Sequence, residues 1–349
     1  MATIKEIAAL AGVSPTTVSN VIHGNTKKVS PEKYKKVQKI LDEIHFAPNL
    51  AASMLAHNTS HIVGIILNYD ARDDDLAIQD PYVSAIIGTL EQNLQKNGYY
   101  TMLYSNDDFS KWIKLISTWN MAGLILLGVS GHKAELVRQS ANVPVVFIDS
   151  YLSDEEKDEK SDGGKSFFNV GLEDLYGGFL MTEYLIECGH RKIAFLADNT
   201  QPSGVDAFRL IGLKNSLLKH GISFGPDGDC DFVPITKNKE KRLQIVEKLI
   251  SQKRFTALFF ASDFYASEAV QNLEKKGHSI PDEVSVVGFD NNSYAEFSNP
   301  GLTTVNQDIF EKGKSAVSLL VSLIRGESVQ ECNVRLPVKL VIRDSVKKI

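Results

Sequence analysis

The sequence predicts an α/β protein: a small all-α helix-turn-helix unit at the N-terminus, then a core of two parallel-sheet α/β lobes. Three observations carry this. Thr3 to Gly24, TIKEIAALAGVSPTTVSNVIHG, reads as two short helices around a tight turn. From His61 onward, short apolar runs alternate with amphipathic helices, the pattern of parallel sheets covered on both faces. The alternation then repeats over a second stretch of similar length, which makes two lobes with a cleft between their sheets.

In the opening stretch, Thr3 followed by Glu6 is a capping-box start, the hydroxyl and the carboxylate each satisfying an orphan helix N–H. Ile7, Leu10 and Ala11 fall on one face, and Gly12 gives the backbone freedom to turn. Ser14-Pro15 restarts a helix with a capping hydroxyl and a proline whose missing N–H costs nothing at that position. Val18, Val21 and Ile22 point inward, and Thr16, Thr17 and Asn20 form a polar face with no partner in the segment. Gly24 ends the helix. Such a hairpin alone fits any all-α packing. Ser30-Pro31-Glu32 then opens a third helix with Tyr34, Val37, Leu41 and Ile44 inward and Lys33, Lys35, Lys36 and Lys39 outward. Three helices close a small core and leave the polar face of the second one free.

These segments, with VSPEKYKKVQKILDEIHFAPN and the AASMLA that follows, resemble the lactose/galactose repressor (LacI/GalR) family of bacterial transcription regulators, and the likeness runs the length of the chain. The resemblance implies a DNA-binding domain over 1–46, a hinge helix and linker over 47–60, and an effector-binding core over 61–349 with the bilobed periplasmic-binding-protein-like fold. The chain then crosses between lobes three times, placed near Gly171, Asn306 and Val334. The first lobe is expected at about 61–171 and 306–333, the second at about 172–305 and 334–349. The DNA-binding residues it implies are Thr3, Ser14, Pro15, Thr16, Thr17, Ser19, Asn20, His23, Asn49 and Leu55. Leu55 matches a leucine that each hinge wedges into the minor groove when two copies meet on DNA, unstacking a base step. Ser53 departs from the family's usual arginine, and His57-Asn58 stand where a basic residue follows the leucine, which implies a weaker minor-groove contact. A plain linker is the alternative reading of this segment.

Composition agrees. The chain has 349 residues, 43% hydrophobic and 23% charged, ordinary for a globular protein of more than one domain. MATIKEIAAL is not a signal peptide, and no apolar run reaches the roughly eighteen residues of a membrane span, so a cytoplasmic location without membrane contact is expected. Cys188, Cys230 and Cys332 are widely spaced, fit a reducing compartment and argue against a zinc site. Net charge is −5, yet residues 1–60 carry seven lysines against four acids, leaving −8 on the rest. Lysines on an exposed helix are usually a solvated surface; beside a recognition face they suit phosphates.

Within the core, IVGIIL, YTMLYS, GLILLG and VPVVFID read as strands of the first unit, with a helix from Tyr82 to Asn97. KIAFLA, FTALFFASD and VSVVGFD are strands of the second, with helices around LEDLYGGFLMTEYLIE, from Ala207 to His220, and up to Gly277. DEEKDEKSDGGKS is expected to be a solvated loop inside a lobe; its GGKS is not a phosphate loop, because Glu159 occupies the first glycine position. GVSGH is not a hydrolase elbow, because His132 replaces the second glycine. NDDFSKWIKLISTWNMAG is shorter than its family counterpart by several residues.

No nucleophile–base pair, metal-ligand cluster or cofactor fingerprint is found, so the cleft is expected to bind and not transform, without cofactor or metal. Asp149, Asp263 and Asp290 follow strands, where open α/β sheets bind ligands, and Arg209 lies on the helix after FLAD. Carboxylates and an arginine fork suit a polyol. By resemblance, Arg209 and Asp290 match the effector arginine and carboxylate, Asp263 a position near the ligand, and Tyr82 an aromatic of the pocket wall. Each aspartate could equally cap the helix after its strand, and Tyr82 could be core. Phe232 is the candidate aromatic of the second lobe.

The expected function is a repressor, most often of sugar utilisation in this family. It would bind a near-palindromic double-stranded operator as a homodimer under control of a small-molecule effector. The ending VIRDSVKKI lacks the heptad tail of a tetrameric member, hence the dimer. The competing classes are a solute-binding protein, an enzyme fused to a DNA-binding domain, and a regulator controlled by a phosphorylated carrier protein. The recognition face has no arginine, so readout would lean on asparagine, threonine methyls and DNA shape.

Overall fold

The computed structural model describes residues 2–22, 24, 26–46, 60–68, 77–129, 131–151, 166–198, 200 and 203–349. It divides into two compact units, Met1–Ser60 and His61–Ile349. His23, Asn49, Leu55 and the charged loop over 152–165 lie outside the described residues.

The first unit packs α1 (Ile4–Ala11), α2 (Pro15–Ile22) and α3 (Pro31–Glu43) around Ile7, Ala8, Ala11, Val18, Val21, Val37 and Leu41. The capping box forms: Thr3 N donates to Glu6 Oε2 at 2.7 Å, and Glu6 N donates to Thr3 Oγ1 at 3.3 Å. Gly12 closes α1 in the left-handed conformation. Two inward assignments fail. Leu10 is 64% exposed, because the buried stripe runs through Ile7, Ala8 and Ala11 and leaves it on the flank. Ile44 is likewise 38% exposed, as the C-cap residue of α3. Lys33, Lys35, Lys36 and Lys39 all face solvent.

In the second unit one sheet is built from β1 (Ile62–Leu67), β2 (Tyr100–Ser105), β3 (Gly123–Leu127), β4 (Val145–Ile148), β5 (Asn169–Leu172) and β11 (Asn333–Leu336). Its order is β11-β5-β4-β3-β1-β2, with every pairing parallel. Apolar runs such as IVGIIL are buried on both faces, as a covered parallel sheet requires. Helices α4 (Pro81–Lys96) and α12 (Ile309–Ile324) seal one face through Ile86, Leu90, Ala316 and Leu320. On the other, α5 (Phe109–Thr118) and α6 (Gly131–Ser140) bring Trp112 and Val137.

The second sheet, β7-β6-β8-β9, is also parallel and comprises β6 (Ile193–Ala197), β7 (Asp231–Pro234), β8 (Ala257–Phe260) and β9 (Ser285–Val287). It is covered by α7 (Asp174–Glu187) and α8 (Gly204–Lys219) on one face and by α9 (Lys239–Gln252), α10 (Asp263–Lys275) and the short α11 (Ser293–Phe297) on the other. A ribbon of β10 (Thr304–Asn306) and β12 (Lys339–Val341) adjoins β9 through bridges at Val287–Thr303 and Asp290–Asn306. The chain thus leaves the first sheet after Leu172, returns after Asn306 and leaves again after Leu336. The third crossing lies beyond the expected Val334, because Asn333–Leu336 pair in register with Asn169–Leu172. Among the described residues no helix is long and apolar enough to cross a membrane.

Helices α7 and α8 approach until backbones touch. A Cβ on Gly178 would sit 2.1 Å from the Arg209 carbonyl oxygen, and one on Gly212 would sit 1.9 Å from that of Leu175. Packed interiors yield little to such intrusion. Gly178→Ala should therefore lower stability by about 2–3 kcal/mol. Gly88→Ala, on an exposed face of α4 with no atom near its Cβ, should raise it by up to about 1 kcal/mol. Thermal melts of the two variants read both signs, and equal effects would refute the contact argument.

Candidate functional site

Strand ends of the first lobe and the start of α8 in the second meet at a cavity of about 270 Å³. Leu67, Asn68, Leu127, Gly128, Asp149, Tyr82 and Val83 line it from the first lobe; Ser203, Gly204 and Val205, at the start of α8, line it from the second. Asp80 caps α4 by accepting from Tyr82 N at 2.8 Å, which fixes the tyrosine at the cavity wall.

Around this cavity two cations are buried. Lys312, on the first turn of α12, is 0% exposed. Its Nζ donates to Asp149 Oδ1 and Oδ2 at 2.9 and 2.8 Å, to Gln307 Oε1 at 2.8 Å and to the Tyr82 hydroxyl at 3.2 Å. Tyr82 in turn donates to Asp149 Oδ2. Burial, then the Asp149 charge, raises the Tyr82 phenol well above its ordinary value and keeps it a donor. Gln307, in the second crossing, donates through Nε2 to Asp290 Oδ1, so a continuous polar chain runs from Asp149 in one lobe to Asp290 in the other.

Arg209 is the second buried cation. Its Nε donates to Asp174 Oδ1 at 2.9 Å, its Nη1 to the Ala261 carbonyl at 2.6 Å, and its guanidinium lies over the Phe289 ring, 3.6 Å from the centroid. Burial opposes its charge, but Asp174, Asp290 and Asp206 outweigh burial and hold it above its ordinary value. Asp174 also accepts from the Tyr151 hydroxyl, and Tyr151 packs on Phe208 at 4.6 Å.

The sequence candidates separate. Tyr82 and Asp149 line the cavity, while Arg209 and Asp290 are buried behind it, within electrostatic reach of Tyr82. Asp263 does not present to the cavity: fully buried, it accepts from Thr304 Oγ1 at 2.7 Å and from Asn292 N at 3.2 Å. It braces the loop that carries Asp290, since Gly288 leaves room for it; a Cβ there would sit 2.1 Å from Asp263 Oδ1. Phe232 packs into the second lobe's core 6.4 Å from Phe195. Asp149 and Asp290 hold left-handed backbone, with φ of 55° and 127°, a strain that clusters at ligand sites. Burial, then Asp263, pushes the Asp290 carboxyl well up, against the pull of Arg209.

Sequence reasoning missed Lys312, Gln307, Asp174 and Asp206. A signal existed for the first: Lys312 interrupts the helical stripe Ile309, Ala316, Val317, Leu320, where a lysine is out of place unless paired.

On the N-terminal unit, Thr3, Ser14, Pro15 and Thr16 are exposed, and Thr17, Ser19 and Asn20 half-buried. Thr17 is not the partnerless residue expected: its hydroxyl bonds that of Ser14 at 2.9 Å, and its N–H donates to the same Ser14 Oγ at 3.2 Å, as part of the α2 cap.

Residues 3–49 match the family model of bacterial regulatory proteins of the lacI family, and residues 182–346 that of a periplasmic binding protein-like domain. The chain is 29% identical over 359 residues to the HTH-type transcriptional repressor PurR of Vibrio atlanticus, covering 99% of each chain, and 28% identical over 362 residues to PurR of Vibrio vulnificus, covering all of both. Among solved structures, the lac repressor dimer bound to operator and the anti-inducer ONPF superposes with a TM-score of 0.83 at 24% identity, covering 99% of each chain. A LacI family transcriptional regulator from Enterococcus faecium with bound ribose gives a TM-score of 0.68 at 25% identity, over 82% of this chain and 99% of that one. The two parts thus stand in order, a lacI-family DNA-binding domain followed by a periplasmic-binding-protein-like domain, and transcriptional repressors match the chain end to end.

Proposed function

We propose that the protein represses transcription as a homodimer on a near-palindromic operator and releases or tightens its hold when a small molecule enters the interlobe cleft. The observation that carries the effector half is the cavity itself. Its wall is drawn from both lobes, so a ligand touching both favours one lobe arrangement over another. By linkage, operator DNA then changes effector affinity by the same factor.

On the DNA side, α2 enters the major groove, with Thr16 and Asn20 presented to base edges and Thr17 retained for its cap and methyl. Asn20 is the residue suited to bidentate adenine recognition, and the exposed lysines of α3 suit phosphates. In the cleft, Asp290 and Arg209 from the second lobe and Tyr82 from the first are the contacts proposed for the effector. A sugar suits carboxylates that accept from hydroxyls, and ribose occupies the Enterococcus faecium relative. A purine is the second reading, favoured by the PurR relatives.

Asn20→Ala should cost about 1–3 kcal/mol on the operator and flatten the preference at one base pair. Lys36→Ala should weaken every DNA sequence alike and reduce the salt slope by about 1. Gel shifts against operator and scrambled DNA at several salt concentrations separate the two, and a uniform loss for Asn20→Ala would sink the readout assignment. For the cleft, a thermal-shift screen of sugars and purine bases should find a stabilising compound, worth about 2.7 kcal/mol at a hundred times its Kd. Asp290→Asn, which keeps shape but not charge, should weaken that compound at least tenfold with operator affinity intact; unaltered binding would remove Asp290 from the site.

A further inference from the structure

A side chain of the first lobe reaches directly into the second, next to Arg209. Tyr151 lies three residues beyond the end of β4 and is 8% exposed. Its hydroxyl donates to Asp174 Oδ2, on the first residue of α7, and its ring packs on Phe208 of α8 with centroids 4.6 Å apart. Both partners belong to the second lobe. Gly171 leaves the hydroxyl its room, since a Cβ there would sit 3.0 Å from it. From β11, just before the third crossing, the Arg335 guanidinium lies over both rings, 4.8 Å from that of Tyr151 and 5.7 Å from that of Phe208.

The carboxylate that Tyr151 meets is the one that holds Arg209. Asp174 has no exposed surface; its Oδ1 accepts from Arg209 Nε at 2.9 Å, and its Oδ2 accepts from Tyr151. Each oxygen therefore answers to a different lobe. Burial, then the Asp174 charge, raises the Tyr151 phenol, so the hydroxyl keeps its proton and stays a donor. A buried carboxylate that loses a donor is left short of a hydrogen bond that solvent does not replace.

We propose, building on the reading of Arg209 as an effector contact, that Tyr151 is a positioning residue which holds Arg209 in place through Asp174 in one lobe arrangement and releases it in another. When the first lobe moves away it takes the hydroxyl with it, Asp174 reorganises around its remaining partner, and the guanidinium is no longer fixed. An effector that engages Arg209 acts on the same carboxylate from the other side. Lobe arrangement and effector site thus share one hydrogen bond, and their coupling is reciprocal. The Phe208 and Arg335 contacts seat the ring and are separable from the hydroxyl.

The test compares the full chain with Tyr151→Phe, which keeps the ring against Phe208 and Arg335 and removes only the hydroxyl. Phenylglyoxal, which condenses with accessible guanidinium groups, is the probe, and mass-spectrometric peptide mapping reads each arginine. Arg242, 1% exposed and paired with Glu268 on the opposite face of the second sheet, is the internal control. Arg209 should react about tenfold faster in the variant, the size of a lost hydrogen bond to a buried charge, with Arg242 unchanged. Gel shifts of the variant, without added ligand, should show an altered operator affinity. An unchanged Arg209 rate overturns the proposal. So does equal acceleration at Arg242, which would mean a loosened fold. Arg209 freed with operator affinity intact overturns it as well, because the bond would then hold a side chain and not an arrangement. The reading of the cleft as the effector site fails on a different result, a screen in which no sugar or purine stabilises the wild-type chain, and that result takes the proposal with it.

Discussion

Two buried cations and their obligation to be paired set the architecture of the cleft. An ammonium with no exposed surface is tolerable only with its donors occupied, and Lys312 is held by Asp149, Gln307 and Tyr82. Arg209 is bound by Asp174, by a backbone carbonyl and by the face of Phe289. Those partners come from α4, the end of β4, the start of α7, the loop after β8 and the second crossing, so the pairing ties together elements far apart in the chain. The left-handed backbone of Asp149 fits this account. Its position is over-determined by Lys312 and Tyr82, and such a surround lets a non-glycine residue keep an unfavourable conformation.

Charge is divided along the chain in a way that matches two kinds of partner. The N-terminal sixty residues are net basic, and the lysines of α3 are solvent-facing, where they act on a polyanion at a distance set by salt. The core is net acidic, and part of that acidity, at Asp149, Asp174 and Asp290, is buried, where it is screened little.

Much of the fold was legible because parallel strands buried on both faces are uninterrupted apolar runs, and the capping box at Thr3–Glu6 is a local pattern that needs no tertiary partner. Strand-end aspartates were legible by position, yet position does not say which way each one serves. Asp290 and Asp263 both follow strands of the second lobe; Asp263 is consumed by Thr304, a partner forty-one positions away that only folding brings near. Lys312 was missed for the opposite reason. Lysines on helices are solvated in most sequences, and the one that is not differs only in falling on the apolar stripe. Leu10 misled because a leucine at helical spacing reads as core, whereas two alanines, Ala8 and Ala11, fill the narrow space between α1 and its neighbours.

Gln307 is the joint at which these features meet. Its amide is polar in one sense only: Oε1 accepts from Lys312 in the first lobe and Nε2 donates to Asp290 in the second. The residue sits in a crossing between lobes and is 5% exposed, so bulk solvent has little access to replace either partner. A lobe arrangement that draws Gln307 from one side therefore leaves a buried charged group short of a hydrogen bond, at a cost of about 1–3 kcal/mol. That is the size of a typical coupling between two sites. The same amide that closes the polar chain in one arrangement thus makes the relative position of the lobes sensitive to the hydrogen bonding of Asp290.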